Sequence, residues 1–162
     1  MRDFARGDLS ASGASRTDPL GLAFDAAREA ASRGEVPVGA VVMRDGIVLS
    51  VAGNCPRADR DPTAHAEILA IRAACAALDD ERLTGCDLYV TLEPCAMCAG
   101  AISFARIRRL YFAAADPKGG AVENGPRFFN QPTCHHAPEV YGGLRETEAA
   151  ALLRDFFRDR RP

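Results

Sequence analysis

Four side chains in two short runs have the types and spacing for metal-assisted chemistry. Thr63-Ala64-His65-Ala66-Glu67 offers an imidazole with a carboxylate two residues further on. Pro94-Cys95-Ala96-Met97-Cys98 offers two thiols. Imidazole and thiolate are donors that Zn2+ favours, and three of them leave a tetrahedral ion one ligand short. A catalytic zinc keeps that position for water and lowers the water's pKa from about 15.7 towards 7. With His65, Cys95 and Cys98 as ligands, Glu67 is free to carry protons. The bland alternative is a closed, structural zinc with its fourth ligand from Cys55, Cys75, Cys86, Cys134, His135 or His136. Such a site gives Glu67 no purpose at this spacing, so the open site is the expectation. Taken alone, Glu67 also suits a solvated place in a helix's first turn, favoured by the dipole.

The composition bounds the rest. A chain of 162 residues suffices for one domain with a sizeable core. Hydrophobic residues at 48% and charged ones at 26% are those of a soluble globular protein. A net charge of −2 argues against a broad electrostatic grip on nucleic acid, so any such contact needs a local patch. Lys118 is the only lysine among 20 basic residues, a bias that genome composition explains. Six cysteines, two of them in C-x-x-C spacing, fit free thiols and one metal site in a reducing, cytoplasmic compartment better than a disulfide framework. No apolar run is long enough to span a bilayer. The first 17 residues mix charge with Ser and Gly and read as a loose tail, leaving 18–162 as a single domain.

The elements that must position the four side chains alternate along the chain. Asp18-Pro19 starts a helix whose face is Leu20, Ala23, Phe24, Ala27 and Ala31, closed by Gly34. Val36 to Met43 reads as a buried strand, Asp45-Gly46 as a turn, and Ile47 to Ala52 as its hairpin partner. Gly53 to Arg60 reads as a loop carrying Asn54. Asp61-Pro62 repeats the helix-start signal, with Ala64, Ile68, Ile71, Cys75 and Leu78 on one face and His65 and Glu67 in the first turn. Leu88 to Leu92 is a strand that feeds Pro94 and a helix over Cys95 to Ala105, where the two thiols lie at i and i+3. Arg109 to Ala113 and Glu139 to Tyr141 are further strands. Ala115 to His136 has no clean period, and a final helix shows Ala149, Leu152, Leu153 and Phe156. Strands alternating with helices imply an α/β sandwich with helices on both sheet faces.

The runs Val36 to Ala40, Asp61 to Ile68 and Thr91 to Ile102, with the ending Ala151 to Arg158, closely resemble the bacterial tRNA-specific adenosine deaminases of the zinc-dependent cytidine/deoxycytidylate deaminase superfamily. The resemblance spans Asp18 to the end. It implies a cytidine deaminase-like three-layer α/β/α sandwich with a mixed five-stranded sheet, one Zn2+ per subunit, and a homodimer. It implies conversion of adenosine to inosine at the wobble position of a tRNA anticodon, that of an arginine tRNA, with the anticodon stem-loop as partner. Glu67 is then the proton shuttle, and Asn54 lies near the flipped nucleotide, where its amide hydrogen-bonds base or ribose. As a plain sequence feature Asn54 is also an ordinary turn residue. The segment Glu123 to His136 departs from the better-known members.

Other residues keep two readings. Phe128 and Phe129 either stack an unpaired anticodon base or pack in the core or a dimer contact. Phe156 and Phe157 with Arg154, Arg158, Arg160 and Arg161 either meet tRNA phosphates or form a solvated helix face, and Arg106, Arg108 and Arg109 share that ambiguity. Cys134, His135 and His136 read as an ordinary loop, with a second metal site as the rival. Two rival functions stand beside the tRNA enzyme: a guanine- or cytosine-type deaminase of a free base or nucleoside, and a non-catalytic, zinc-stabilised RNA-binding module.

Overall fold

The inner strands of the sheet alternate between two apolar partners, and this alternation builds the layers. The structure, a computed structural model, describes residues 17–161; the stretch 1–16, which holds nearly all of the expected tail, lies outside the described residues. Helix α1 (Pro19–Ser32) has Asp18 as its N-cap, accepting from Gly21 N–H at 2.9 Å, with Pro19 at the first position. Its buried face is Leu20, Ala23, Phe24, Ala26, Ala27 and Ala30, whereas Ala31 is half-buried.

Strands β1 (Gly39–Arg44) and β2 (Ile47–Gly53) pair antiparallel around Asp45-Gly46, both at positive φ, the requirement of a tight hairpin turn. The first strand begins at Gly39 rather than Val36, because the ladder starts at Gly39 opposite Gly53 and Val38 N–H turns back to Val36 O at 2.8 Å. The expected loop after β2 contains a one-turn helix, α2 (Pro56–Asp59). Proline opens it, and the buried Glu35 carboxylate accepts Ala58 N–H at 2.9 Å. Helix α3 (Ala66–Leu78) starts later than Asp61-Pro62 suggests. Asp61 spends its carboxylate on Thr63 N–H at 2.8 Å and Thr63 Oγ1 at 2.7 Å, so it closes a turn instead of capping the helix. His65 becomes the N-cap residue.

The chain continues through β3 (Asp87–Leu92), α4 (Ala96–Phe104), β4 (Arg109–Ala114), β5 (Glu139–Tyr141) and α5 (Glu146–Arg158). The aperiodic stretch before β5 holds only a 3-10 turn, Phe128–Asn130. Strand order is β2-β1-β3-β4-β5, antiparallel on the β2 side and parallel from β3 to β5, a mixed sheet. Ala40, Val42, Leu88, Val90, Leu110 and Phe112 pack against Ala70, Ala74 and Ile102 of α3 and α4. Val41, Met43 and Ala113 face Leu20, Phe24 and Ala149 of α1 and α5. The fold is therefore a three-layer α/β/α sandwich with five strands. Its β3–α4–β4 crossover puts the helix start just beyond the carboxyl end of a parallel strand, where such sheets hold ligands.

Gly39 permits the closest approach between α1 and the sheet. A Cβ there would overlap the Ala23 carbonyl oxygen and lie 2.8 Å from Ala27 N. Gly39→Ala is expected to destabilise by about 1–3 kcal/mol through forced separation of helix and strand. Urea unfolding should show a lower midpoint at unchanged slope, and an unmoved midpoint contradicts the packing account.

Candidate active site

Two helix starts converge on one point. His65 precedes α3 with φ −73° and ψ 152°, and Cys95 precedes α4 with φ −72° and ψ 175°. Both are extended, unstrained N-cap positions, and neither side chain bonds its own helix. They turn instead toward each other: His65 Nδ1 lies 3.6 Å from Cys95 Sγ and 3.5 Å from Cys98 Sγ. All three ligand atoms fall within 4.8 Å of one another, and no fourth His, Cys, Asp or Glu joins them among the described residues. A tetrahedral zinc with Zn–S of about 2.3 Å and Zn–N of about 2.0–2.1 Å separates sulfur from nitrogen by about 3.5 Å. The donor set and its spacing thus fit such an ion.

Burial and charge tune the cluster. Cys98 is fully buried, and His65 and Cys95 are half-buried. The hydrogen bond from Cys98 pulls the Cys95 thiol down to about 5 against the effect of burial, and His65 adds to the pull. That same bond, together with burial, pushes the Cys98 thiol up. One thiolate is thus ready at neutral pH, next to the positive end of a helix, as a metal ligand must be. Glu67, 4% exposed in the first turn of α3, has its carboxyl pushed up to about 7 by burial, with Cys95 nearby adding to the rise. A carboxyl with that pKa both takes and gives a proton at neutral pH.

Asn54 lies in the same region and is buried. Its Oδ1 accepts the Ala66 N–H at 2.8 Å and so supplies the cap that His65 does not. With the oxygen fixed on α3, the Nδ2 side of the amide remains a donor. The other sequence candidates are dispersed. Phe128 and Phe129 meet edge to face at 6.0 Å between ring centroids on the 3-10 turn, half-buried, with Phe129 packed on the α3/α4 core. Phe156 is buried, with the Arg160 guanidinium 3.7 Å above its ring, so the exposed aromatic of that pair is Phe157. Arg158 and Arg161 are exposed. They line, with Lys118, Arg154, Phe157 and Arg160, a cleft of about 710 Å3. The segment around Cys134 is tied to backbone: Ser103 Oγ donates to His136 O at 2.7 Å, and His136 Nε2 lies 2.7 Å from Ile107 O. It forms no metal cluster among the described residues.

Sequence reasoning assigned no role to Glu93, Glu35 or Lys118. Glu93 is 2% exposed and accepts five hydrogen bonds from residues 116–124. Its only sequence signal is a carboxylate wedged between a strand and a proline, because its donors come 23 to 31 positions later.

A family model described as MafB19-like deaminase matches residues 18–161. A tRNA-specific adenosine deaminase of Agrobacterium fabrum is 64% identical over 148 residues, 91% of this chain and 97% of its own. A structure solved in work on A-to-I editing by tRNA:A34 deaminases superposes with a TM-score of 0.82 at 64% identity, covering 83% of this chain and 98% of that one. A guanine deaminase from Nitrosomonas europaea shares 27% identity and a TM-score of 0.70, over 85% of this chain and 82% of its own. By these matches the chain belongs to the MafB19-like deaminases and, among them, to the tRNA-specific adenosine deaminase family.

Proposed function

We propose that this chain hydrolyses adenosine to inosine and ammonia at the wobble position of a tRNA anticodon, that of an arginine tRNA. The observation that carries the reading is a three-donor cluster with no fourth protein donor among the described residues, beside the buried carboxylate of Glu67. We assign His65, Cys95 and Cys98 to one zinc per subunit. Zinc, when bound there, supplies a Lewis acid that makes water acidic near neutral pH. Glu67 takes one proton of the attacking water as its oxygen adds to C6 and hands it to N1. It then takes the remaining proton of the C6 hydroxyl and delivers it to the amino group, so that the C6–N6 bond breaks, the C6 carbonyl forms and ammonia leaves. One water enters and one ammonia departs for each inosine formed. The Asn54 amide donates to the base or ribose. A base in an anticodon loop is already unpaired, so extruding it costs little.

The cleft of Lys118 and the α5 arginines supports a tRNA partner, since a chain of net charge −2 must gather its cations locally to hold phosphates. Arg158, Arg160 and Arg161 are assigned to the RNA backbone. Of the Phe156 and Phe157 pair, the exposed Phe157 takes the RNA contact expected of Phe156, which is buried. Phe104 on α4 is 75% exposed and Met97 37%, apolar surface suited to the homodimer interface we assign there. All six cysteines are free, in keeping with a reducing cytoplasm. No helix among the described residues is long and apolar enough to cross a membrane.

The zinc cluster does not distinguish RNA from a free base, so the substrate must be tested directly. Purified protein offered an ACG-anticodon stem-loop, free adenosine, guanine and cytidine should yield inosine from the stem-loop, and activity on a free base alone overturns the reading. Glu67→Ala should retain one zinc per subunit by elemental analysis while turnover falls on the order of 10^3-fold; undiminished turnover refutes the shuttle. Asn54→Asp keeps an acceptor for Ala66 N–H and deletes the donor. Melting temperature should hold while kcat/KM drops about tenfold or more, and unchanged kinetics remove Asn54 from the substrate site.

A further inference from the structure

Glu93 ends the strand side of the turn that carries Cys95, yet its carboxylate touches neither thiol. Oε1 accepts Asp116 N–H at 3.0 Å and Asn124 Nδ2 at 2.7 Å. Oε2 accepts Val122 N–H at 3.1 Å, Glu123 N–H at 3.0 Å and Asn124 N–H at 3.0 Å. Four backbone amides from one segment thus wrap one buried anion, a nest whose donors have no helix or strand partner. The fit is close: a Cβ on Gly120 would lie 2.5 Å from Glu93 Cδ. Main-chain bonds run alongside, from Ala121 N–H to Pro94 O at 2.9 Å and from Glu93 N–H to Ala114 O at 2.8 Å. The wrapped segment carries Lys118 at its outer bend, and Lys118 borders both the arginine cleft and the apolar hollow of Val36, Leu92 and Leu153.

The geometry points to Glu93 as a positioning residue that fixes the basic cleft relative to the metal-ligand turn. By gathering residues 116–124 onto the strand that leads to Cys95, it holds Lys118 beside the α5 arginines for the tRNA backbone. This rests on the proposed tRNA reading of the cleft. The role is distinct from metal binding because every side-chain partner of Glu93 belongs to the segment and none to the ligands. It is also distinct from proton transfer, which Glu67 performs.

Glu93→Gln keeps the size of the side chain and turns one acceptor into a donor facing N–H groups. With the anticodon stem-loop as substrate, KM is expected to rise about tenfold while kcat and zinc content stay within about twofold of wild type. Lys118→Ala should raise KM in the wild-type background and add less than about twofold in the Glu93→Gln background, because its position is already lost. Loss of zinc, a fall in kcat as large as the rise in KM, an unmoved KM, or an additive or inert Lys118→Ala each overturns the role. Should Glu93→Gln fail to fold, Asn124→Ala removes one donor to the same carboxylate and is judged by the same readouts. A wild-type protein that makes no inosine from the stem-loop defeats the substrate reading, and this inference falls with it; where wild type is active, the variants alone decide.

Discussion

The constraint on which the molecule depends is that two helix starts from different parts of the chain meet within a metal's bonding reach. His65 and Cys95 are 30 residues apart, yet their ligand atoms are 3.6 Å from each other. This requires α3 and α4 to lie on the same face of the sheet, and β1, β3 and β4 to hold their order beneath them. The small residues Ala66, Ala70, Ala74, Ala99 and Ala105, all buried, let both helices sit low on that face. Larger residues there would lift the helices and spread the ligands, so core packing and site geometry are one problem. Two N-termini aimed at the same spot also bring two positive dipole ends to bear on sulfur, which favours thiolate over thiol.

Three buried glutamates show how surroundings divide the labour of one side-chain type. Glu35 is spent on the amides that open α2. Burial acts to raise Glu93, but amide donors, Asp116 N–H foremost with Asn124 beside it, reverse this and hold its carboxyl below the usual range. It therefore stays an anion, suited to a structural task. Glu67 has no comparable set of donors, and burial carries it to about 7. The same chemical group is held as an anion in one place and poised to gain or lose a proton near neutral pH in another, and the difference is the count of N–H groups pointed at it.

The order of elements, the sandwich and the meeting of His65, Cys95 and Cys98 were legible in the sequence because local patterns encode them. Alternation in Leu88-Tyr89-Val90 and the spacing of Cys95 and Cys98 are properties of a few consecutive residues. Boundaries were less legible where a side chain chose a partner against its local cue. Asp61 looked like a helix cap and instead closed on Thr63, which delayed α3 until Ala66. Asn54 then served as that helix's cap from 12 residues away, a bond no window on the sequence contains. Phe156 and Phe157 looked alike as a pair, and only the helix's rotation decides that one is buried beneath Arg160 and the other faces outward.

The long stretch before β5 had no period to read because its conformation is not set by one. A helix or strand satisfies its backbone through repeating partners, so its sequence repeats as well. Here a single carboxylate takes four amides in place of that ladder, and the residues in between are left free of any hydrophobic rhythm. Freedom from rhythm is also what lets such a segment vary in what it presents outward. The guanine deaminase structure shares this fold at a TM-score of 0.70 and 27% identity. Within one architecture, then, choice of substrate has to be made in the pieces around the ligand trio, and those pieces are held in place by groups such as Glu93 rather than by the sheet.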